Sequence, residues 1–145
     1  MNYWDTSALL KLYVSEPDST YFVNLVSSSS GPLITSEIAR IEIYCALSRK
    51  QLAGELGKGA ADLLSSRFHG DTDSGRIITV PLGADVFAEA IRLTRSTRLL
   101  SPPLLIRSLD ALHVATALVV GAQTAVATDS RLRAVAASAG LVLLP

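Results

Sequence analysis

The chain has a single cysteine, Cys45, only two histidines, and no excess charge of either sign. One cysteine forms no disulfide within the chain, which fits a reducing compartment. Nor is there a Cys/His set for zinc. Thirteen Lys and Arg balance thirteen Asp and Glu, so no global field points at nucleic acid or a membrane surface. A polyanion would have to be held through a local patch or a bound metal. No apolar run approaches the ~20 residues that span a bilayer. The most apolar stretch is Val114–Val120, and extending it brings in His113 and Asp110. Met1-Asn2-Tyr3-Trp4-Asp5 lacks the basic and apolar regions of a signal peptide, so a cytoplasmic protein with no membrane association is expected. No internal repeat, no low-complexity segment beyond Ser27–Ser30 and no long linker divide the chain, so residues 1–145 are read as one domain.

What the chain does have is apolar surface. Of 145 residues 49% are hydrophobic and 18% charged, with mean hydropathy +0.37, which excludes a disordered chain. A domain of this length buries about 68–70% of the surface its unfolded chain exposes. Short apolar runs at Tyr3-Trp4, Leu33–Thr35, Ile77–Val80, Thr124–Ala127 and Leu141–Leu144 read as strands. Helices are expected at Ala8–Val14, Thr20–Val26, Glu37–Gln51 (capped by Ser36), Ala60–Phe68, Ala84–Thr97, 108–120 (capped by Ser108) and 130–138 (capped by Thr128-Asp129-Ser130). Gly70–Gly75 is expected to be a loop, and Ser101-Pro102-Pro103 a break. Strands alternating with helices predict an α/β domain, its parallel sheet covered on both faces.

Ligands of such sheets bind beyond the carboxyl ends of the strands. Asp5 and Asp129 each follow a strand directly. Asp110 lies in the first turn of its helix, and Glu42 sits on a mostly apolar helical face with Ile38, Cys45 and Ala46. Each acid has an ordinary structural reading: a cap for Asp5 and Asp129, a favourable helix dipole for Asp110, a pairing with Arg49 for Glu42. Together they are harder to explain. Two carboxylates ~4 Å apart repel by about 4 kcal/mol at an effective dielectric of 20. Four in one crevice call for protonation or a divalent cation. Oxygen ligands select a hard ion, Mg2+ or Mn2+, the usual apparatus for phosphate chemistry.

The run Trp4-Asp5-Thr6-Ser7-Ala8-Leu9-Leu10-Lys11-Leu12-Tyr13, followed by Glu16, resembles the opening of PIN-domain proteins, especially the VapC toxins of toxin–antitoxin pairs. Ser36–Glu42 is similar to the family's second motif, Leu109–Ala117 to its third and Ala127–Leu132 to its fourth, in family order. The resemblance implies a three-layer α/β/α sandwich with a central parallel sheet. It also implies a Mg2+- or Mn2+-dependent endoribonuclease that leaves a 3′-hydroxyl and a 5′-phosphate. Asp5, Glu42, Asp110 and Asp129 would be its metal-binding and catalytic quartet, with Thr6, Ser7 and Thr128 orienting them. It further implies a homodimer silenced by a cognate antitoxin. Trp4 departs from the family, standing where an aliphatic residue is usual.

Other signals are weaker. His113, one turn after Asp110, reads first as a packed histidine donating to a neighbour, with a general acid or a phosphate contact as the alternative. Asp71–Gly75 fails as a calcium loop, since Arg76 and Leu82 occupy its glycine and glutamate positions. Gly54, Gly57 and Gly59 make no phosphate loop. Arg107 and Arg131 are candidate RNA contacts, with Lys11, Arg40 and Arg133 also near the acidic motifs. The rivals to a nuclease are a non-catalytic PIN-like interaction module and a phosphatase with Asp5 as nucleophile. The latter is disfavoured because Asp5-Thr6-Ser7 lacks a second aspartate two residues on.

Overall fold

Tyr3 and Trp4, neighbours on one short strand, enter opposite halves of the interior, because successive strand side chains alternate between the two faces of a sheet. The computed structural model describes residues 1–29 and 31–145; Ser30, the last of the serines expected to close the second helix, lies outside the described residues. In chain order the elements are β1 (Asn2–Trp4), α1 (Thr6–Leu10), α2 (Ser19–Ser27), β2 (Leu33–Ser36), α3 (Ala39–Leu52), α4 (Ala60–Asp73), β3 (Ile77–Val80), α5 (Ala84–Arg98), α6 (Ser108–Val119), β4 (Thr124–Val126), α7 (Ser130–Ser138) and β5 (Val142–Leu144). The strands form one sheet in the order β3-β2-β1-β4-β5, every pair parallel.

Trp4 and Val126 face a core built by α1 to α4 with Leu9, Phe22, Ile43, Leu47 and Phe68. Tyr3 and Ala125 face a second core, built by α5 to α7 with Val86, Leu93, Val114, Leu132 and Val135. This is the expected three-layer α/β/α sandwich. Trp4 is accommodated edge-on against Phe22, with ring centroids 6.4 Å apart, an arrangement aromatic pairs prefer.

The chain leaves β1 toward β2 and leaves β4 toward β5, on opposite sides. The carboxyl ends of β1 and β4 therefore flank the switch point where open α/β sheets bind ligands. Helix α6, nearly all buried along Ala111–Ala117, lies over the sheet against α5, α7 and β2. Gly121 ends it with φ +71°. The Gly121 amide bonds to Leu118 at 3.0 Å and the Ala122 amide to Ala117 at 2.9 Å, which satisfies the last carbonyls and turns the chain into β4.

Several expected boundaries are corrected. Ser36 does not cap α3: it is the last residue of β2, paired with Val80, and the helix starts at Ala39 without a side-chain cap. Ser108 is the first residue of α6, and Arg107 holds the cap position in extended conformation. The expected loop from Gly70 is helical as far as Asp73. A tertiary bond to Asp71 from Tyr13 (2.7 Å), with a local one from Arg76 (2.9 Å), holds that turn against the ~1 kcal/mol penalty of a helical glycine. Helix α1 stops at Leu10, and turns carry the chain on to Val14. Among the described residues no helix is long and apolar enough to cross a membrane.

Gly121→Ala is expected to destabilise the chain by about 1–2 kcal/mol, since an L side chain at that φ meets the following carbonyl. The midpoint of urea unfolding measures it.

Candidate active site at the ends of the parallel strands

Asp5 is the residue at which β1 ends. Its amide still bonds to the Val126 carbonyl at 2.9 Å, and its side chain turns back to cap α1. Oδ2 accepts from the Ser7 amide at 3.0 Å and from the Ser7 hydroxyl at 2.5 Å. The same hydroxyl oxygen accepts the amides of Thr128 at 2.9 Å and Asp129 at 3.2 Å, just past β4. One serine thus ties the ends of two adjacent strands and the two aspartates that follow them. Asp129 caps α7 through Oδ1, which accepts from the amides of Arg131 (2.8 Å) and Leu132 (3.2 Å). The ordinary cap readings of Asp5 and Asp129 are therefore real. Each cap uses one carboxylate oxygen and leaves the other without a hydrogen bond among the described residues.

Glu42 arrives from the other side, on the first turn of α3. Its Oε2 accepts from the Thr6 hydroxyl at 2.5 Å and lies 2.6 Å from Nε2 of His113. His113 is 1% exposed, and its Nε2 also stands 3.6 Å from Asp5 Oδ1. Its Nδ1 is 2.5 Å from the hydroxyl of Tyr3, which accepts the Ser36 amide at 3.0 Å. The apolar face predicted around Glu42 is real, and its buried partner is His113 rather than Arg49, which contributes only at longer range. Tyr3 was not singled out by the sequence. The only signal for it was a tyrosine on a strand certain to be buried, where a phenol requires a polar partner.

The charges act on one another. Burial, and then the negative charges of Asp129 and Asp5, hold the Asp110 carboxyl above its ordinary range. Burial opposes charge on Glu42, but the hydrogen bond and charge of His113 and the Thr6 hydroxyl outweigh it and hold its carboxyl below the usual value. Burial likewise opposes charge on His113, yet Glu42, Asp5 and Asp110 together raise it. Three aspartates thus share one electrostatic neighbourhood, and Glu42 joins them through His113. Among the described residues no three His, Cys, Asp or Glu side chains are gathered closely enough to form a ready coordination sphere. The donor set is all oxygen, mutually repelling and partly buried, which suits a hard divalent cation.

Thr128 meets Ser7 through its backbone, and its hydroxyl bonds none of the acids among the described residues. Of the basic residues near the motifs, Lys11 is paired with Glu16 and Asp18. Arg40 bonds to Thr79, and Arg133 binds the carbonyls of Ala127 and Pro145. Arg107 and Arg131 are exposed and form no ion pair among the described residues, one preceding α6 and one opening α7. A groove of about 900 Å³ lined by Leu12, Tyr13, Val26, Arg67 and Asp71, among others, contains none of the four acids.

A family model described as PIN domain matches residues 3–138. No curated protein is significantly similar to the chain in sequence. Among solved structures, VapC20 of Mycobacterium tuberculosis, titled a sarcin-ricin loop cleaving toxin, is 22% identical with a TM-score of 0.71, over 98% of this chain and 97% of that one. VapBC2 of Rickettsia felis, bound to a DNA fragment from its promoter, is 18% identical at TM-score 0.68, over 99% and 98%. FitAcB of Neisseria gonorrhoeae is 18% identical at TM-score 0.67, over 100% and 97%. At these identities the likeness is one of fold.

Two outcomes follow from the site itself. Because the Asp110 pKa is raised on folding, its ionisation opposes the fold: the penalty is absent below the unfolded value near 3.8 and is complete above the folded one. In EDTA, Asp110→Asn therefore melts a few degrees higher than wild type at pH 7 and at the same temperature near pH 3. Ser7→Ala leaves the Thr128 and Asp129 amides without their acceptor, for a loss of about 1–3 kcal/mol. Faster hydrogen exchange at those two amides, read by NMR, localises the loss.

Proposed function

The chain belongs to the PIN-domain family, and from that premise we propose that it is a metal-dependent endoribonuclease of the VapC toxin type, active in the cytoplasm as a homodimer and inhibited by a cognate antitoxin. The observation that carries the reading is Ser7, whose one hydroxyl ties Asp5 to the start of the loop that bears Asp129, with Asp110 raised by both charges. A scaffold that brings like charges together and reinforces the approach makes sense when a cation is to be held there.

Asp5, Glu42, Asp110 and Asp129 are the residues to hold Mg2+ or Mn2+. Such an ion, when bound, supplies neutralisation of a scissile phosphate and activation of the attacking water. The remaining tasks fall to the chain's own groups. Thr6 holds Glu42 and Ser7 holds Asp5, each through a 2.5 Å bond, so neither carboxylate is free to swing out of the crevice. The Thr128 amide fixes the loop that carries Asp129. Arg107 and Arg131 bind backbone phosphates of the RNA, which gives a chain of zero net charge a local hold on a polyanion. The acids sit at the rim of the sheet, an arrangement suited to a polymer passing across it. An antitoxin partner is supported by the likeness in fold to a structure titled a toxin–antitoxin complex, from Klebsiella pneumoniae. The whole of residues 1–145 is taken as one PIN-like unit.

A non-catalytic interaction module is the second reading, and it draws on the finding that among the described residues no three potential ligands stand together. One experiment separates the two. Structured RNAs are incubated with the protein in Mg2+, in Mn2+ and in EDTA, beside Asp5→Asn, Asp110→Asn and Asp129→Asn. Cleavage is expected with metal only, and each variant is expected to fall by at least about a hundredfold, the scale seen when a group stabilising transition-state charge is removed. Metal-independent cleavage, or full activity in any of the variants, would refute the corresponding assignment. Wild type that cuts nothing and whose Tm does not respond to Mg2+ is the outcome of the interaction module.

A further inference from the structure

Glu42 is the one acid of the four that lies on α3, away from the ends of β1 and β4. It sits within α3, on a long side chain with several rotatable bonds, and its aim must be set by its neighbours. Both hydrogen bonds it receives fall on the same oxygen, Oε2. Oε1 has no partner among the described residues. One of the two donors, Thr6, precedes Ser7 on α1. The other, His113, is wholly buried on α6 and hydrogen-bonded at both ring nitrogens.

We propose that Tyr3 and His113 are positioning residues for the metal site, a buried pair that keeps an Nε2–H donor on Glu42 Oε2 and so presents Oε1 to the cation; the inference rests on the metal-dependent reading above. The Tyr3 oxygen already accepts the Ser36 amide. The Glu42 carboxylate facing Nε2 at 2.6 Å calls for the ring proton on that nitrogen, and the Tyr3 proton is then the one His113 Nδ1, 2.5 Å away, accepts. A neutral imidazole that accepts at Nδ1 must carry its proton on Nε2. The alternative tautomer would bring Nδ1–H against a phenol oxygen already in use and leave two acceptors, Nε2 and Oε2, facing each other at 2.6 Å. A protonated ring still donates from Nε2 to the same oxygen, so the aim of Glu42 does not depend on the charge of His113. Backbone partners of metal-binding carboxylates act in this way, as do side chains that touch only the ligand and not the ion. The chain of contacts runs from a β2 amide through a β1 phenol and an α6 imidazole to an α3 carboxylate, across both cores of the sandwich.

The test compares substitutions that keep or move one N–H. His113→Gln places an amide N–H near the position of Nε2, whereas His113→Asn places it near Nδ1, and His113→Leu removes it. Mn2+ affinity is measured by calorimetry on the full chain. The Asn and Leu variants are expected to bind about 10–100-fold more weakly, the usual loss when a ligand's supporting partner is removed, and Gln to remain within about threefold of wild type. Tyr3→Phe, which changes no core volume, is expected to bind several-fold more weakly. Long-range 15N–1H spectra of the metal-free protein, recorded at a pH high enough that the imidazole is neutral, are expected to show one His113 tautomer in wild type and a mixture in that variant. Wild-type affinity in both His113→Asn and Tyr3→Phe, whatever their melting temperatures, would overturn the inference while leaving the nuclease reading standing. Failure of the unsubstituted chain to bind Mn2+ at all would remove both.

Discussion

Repulsion among carboxylates at the switch point of the sheet is the constraint around which the upper edge of this molecule is built. A parallel sheet in the order β3-β2-β1-β4-β5 leaves a crevice between the ends of β1 and β4, and the chain puts an aspartate at each end. In water two such charges would separate. Here each is given donors that hold it: the first turns of α1 and α7 supply free amides, and Ser7 supplies a hydroxyl that gives its proton to Asp5 and accepts from the neighbouring strand's loop. The helix N-termini also carry the positive ends of their dipoles, so the scaffold itself offsets part of the repulsion.

The second half of the site is an exercise in satisfying buried polar groups. Glu42, His113, Thr6 and Tyr3 come from four different elements, yet nearly every strong donor among them finds an acceptor. A network of this kind is worth having only when it is complete, because an orphaned member in a low-dielectric interior is more destabilising than an apolar replacement. Its geometry depends on α6 lying close to the sheet. The small residues Ala111, Ala115 and Ala117, all buried, permit that approach, and His113 is the one large polar side chain the helix sends inward. The same helix carries Asp110 one turn earlier, so packing α6 places both His113 and Asp110 at once.

Much of the fold was legible because it rests on periodicity. Five apolar runs became five strands, and each intervening amphipathic or apolar stretch became helical. The errors lie where a local preference met a tertiary demand. Ser36 and Ser108 have the chemistry of caps, but β2 pairs with β3 through Ser36 and the chain bends at Arg107 instead. Gly70–Asp73 has the composition of a loop, but contacts from Tyr13 and Arg76 to Asp71 extend α4 through it. Propensity is a weak force, up to about 1 kcal/mol for a glycine, and a long-range bond such as Tyr13–Asp71 is enough to reverse it.

The four acids stood out in the sequence as candidates by residue type and by position after a strand or within a helix turn, whereas Thr6 and Ser7 were marked only by the family resemblance. The sequence by itself determined the α/β class, the parallel sheet and which positions at its edge carry carboxylates. Tertiary structure alone decided which of those residues touch. It made Ser7 a link between two strands that are more than a hundred residues apart in the chain. It gave Glu42 a buried histidine in place of a surface arginine, and it gave that histidine Tyr3. Periodicity reports which face of an element is buried, but it carries no information on what stands opposite that face. Those partners are set by strand order and by the way α6 packs across the sheet.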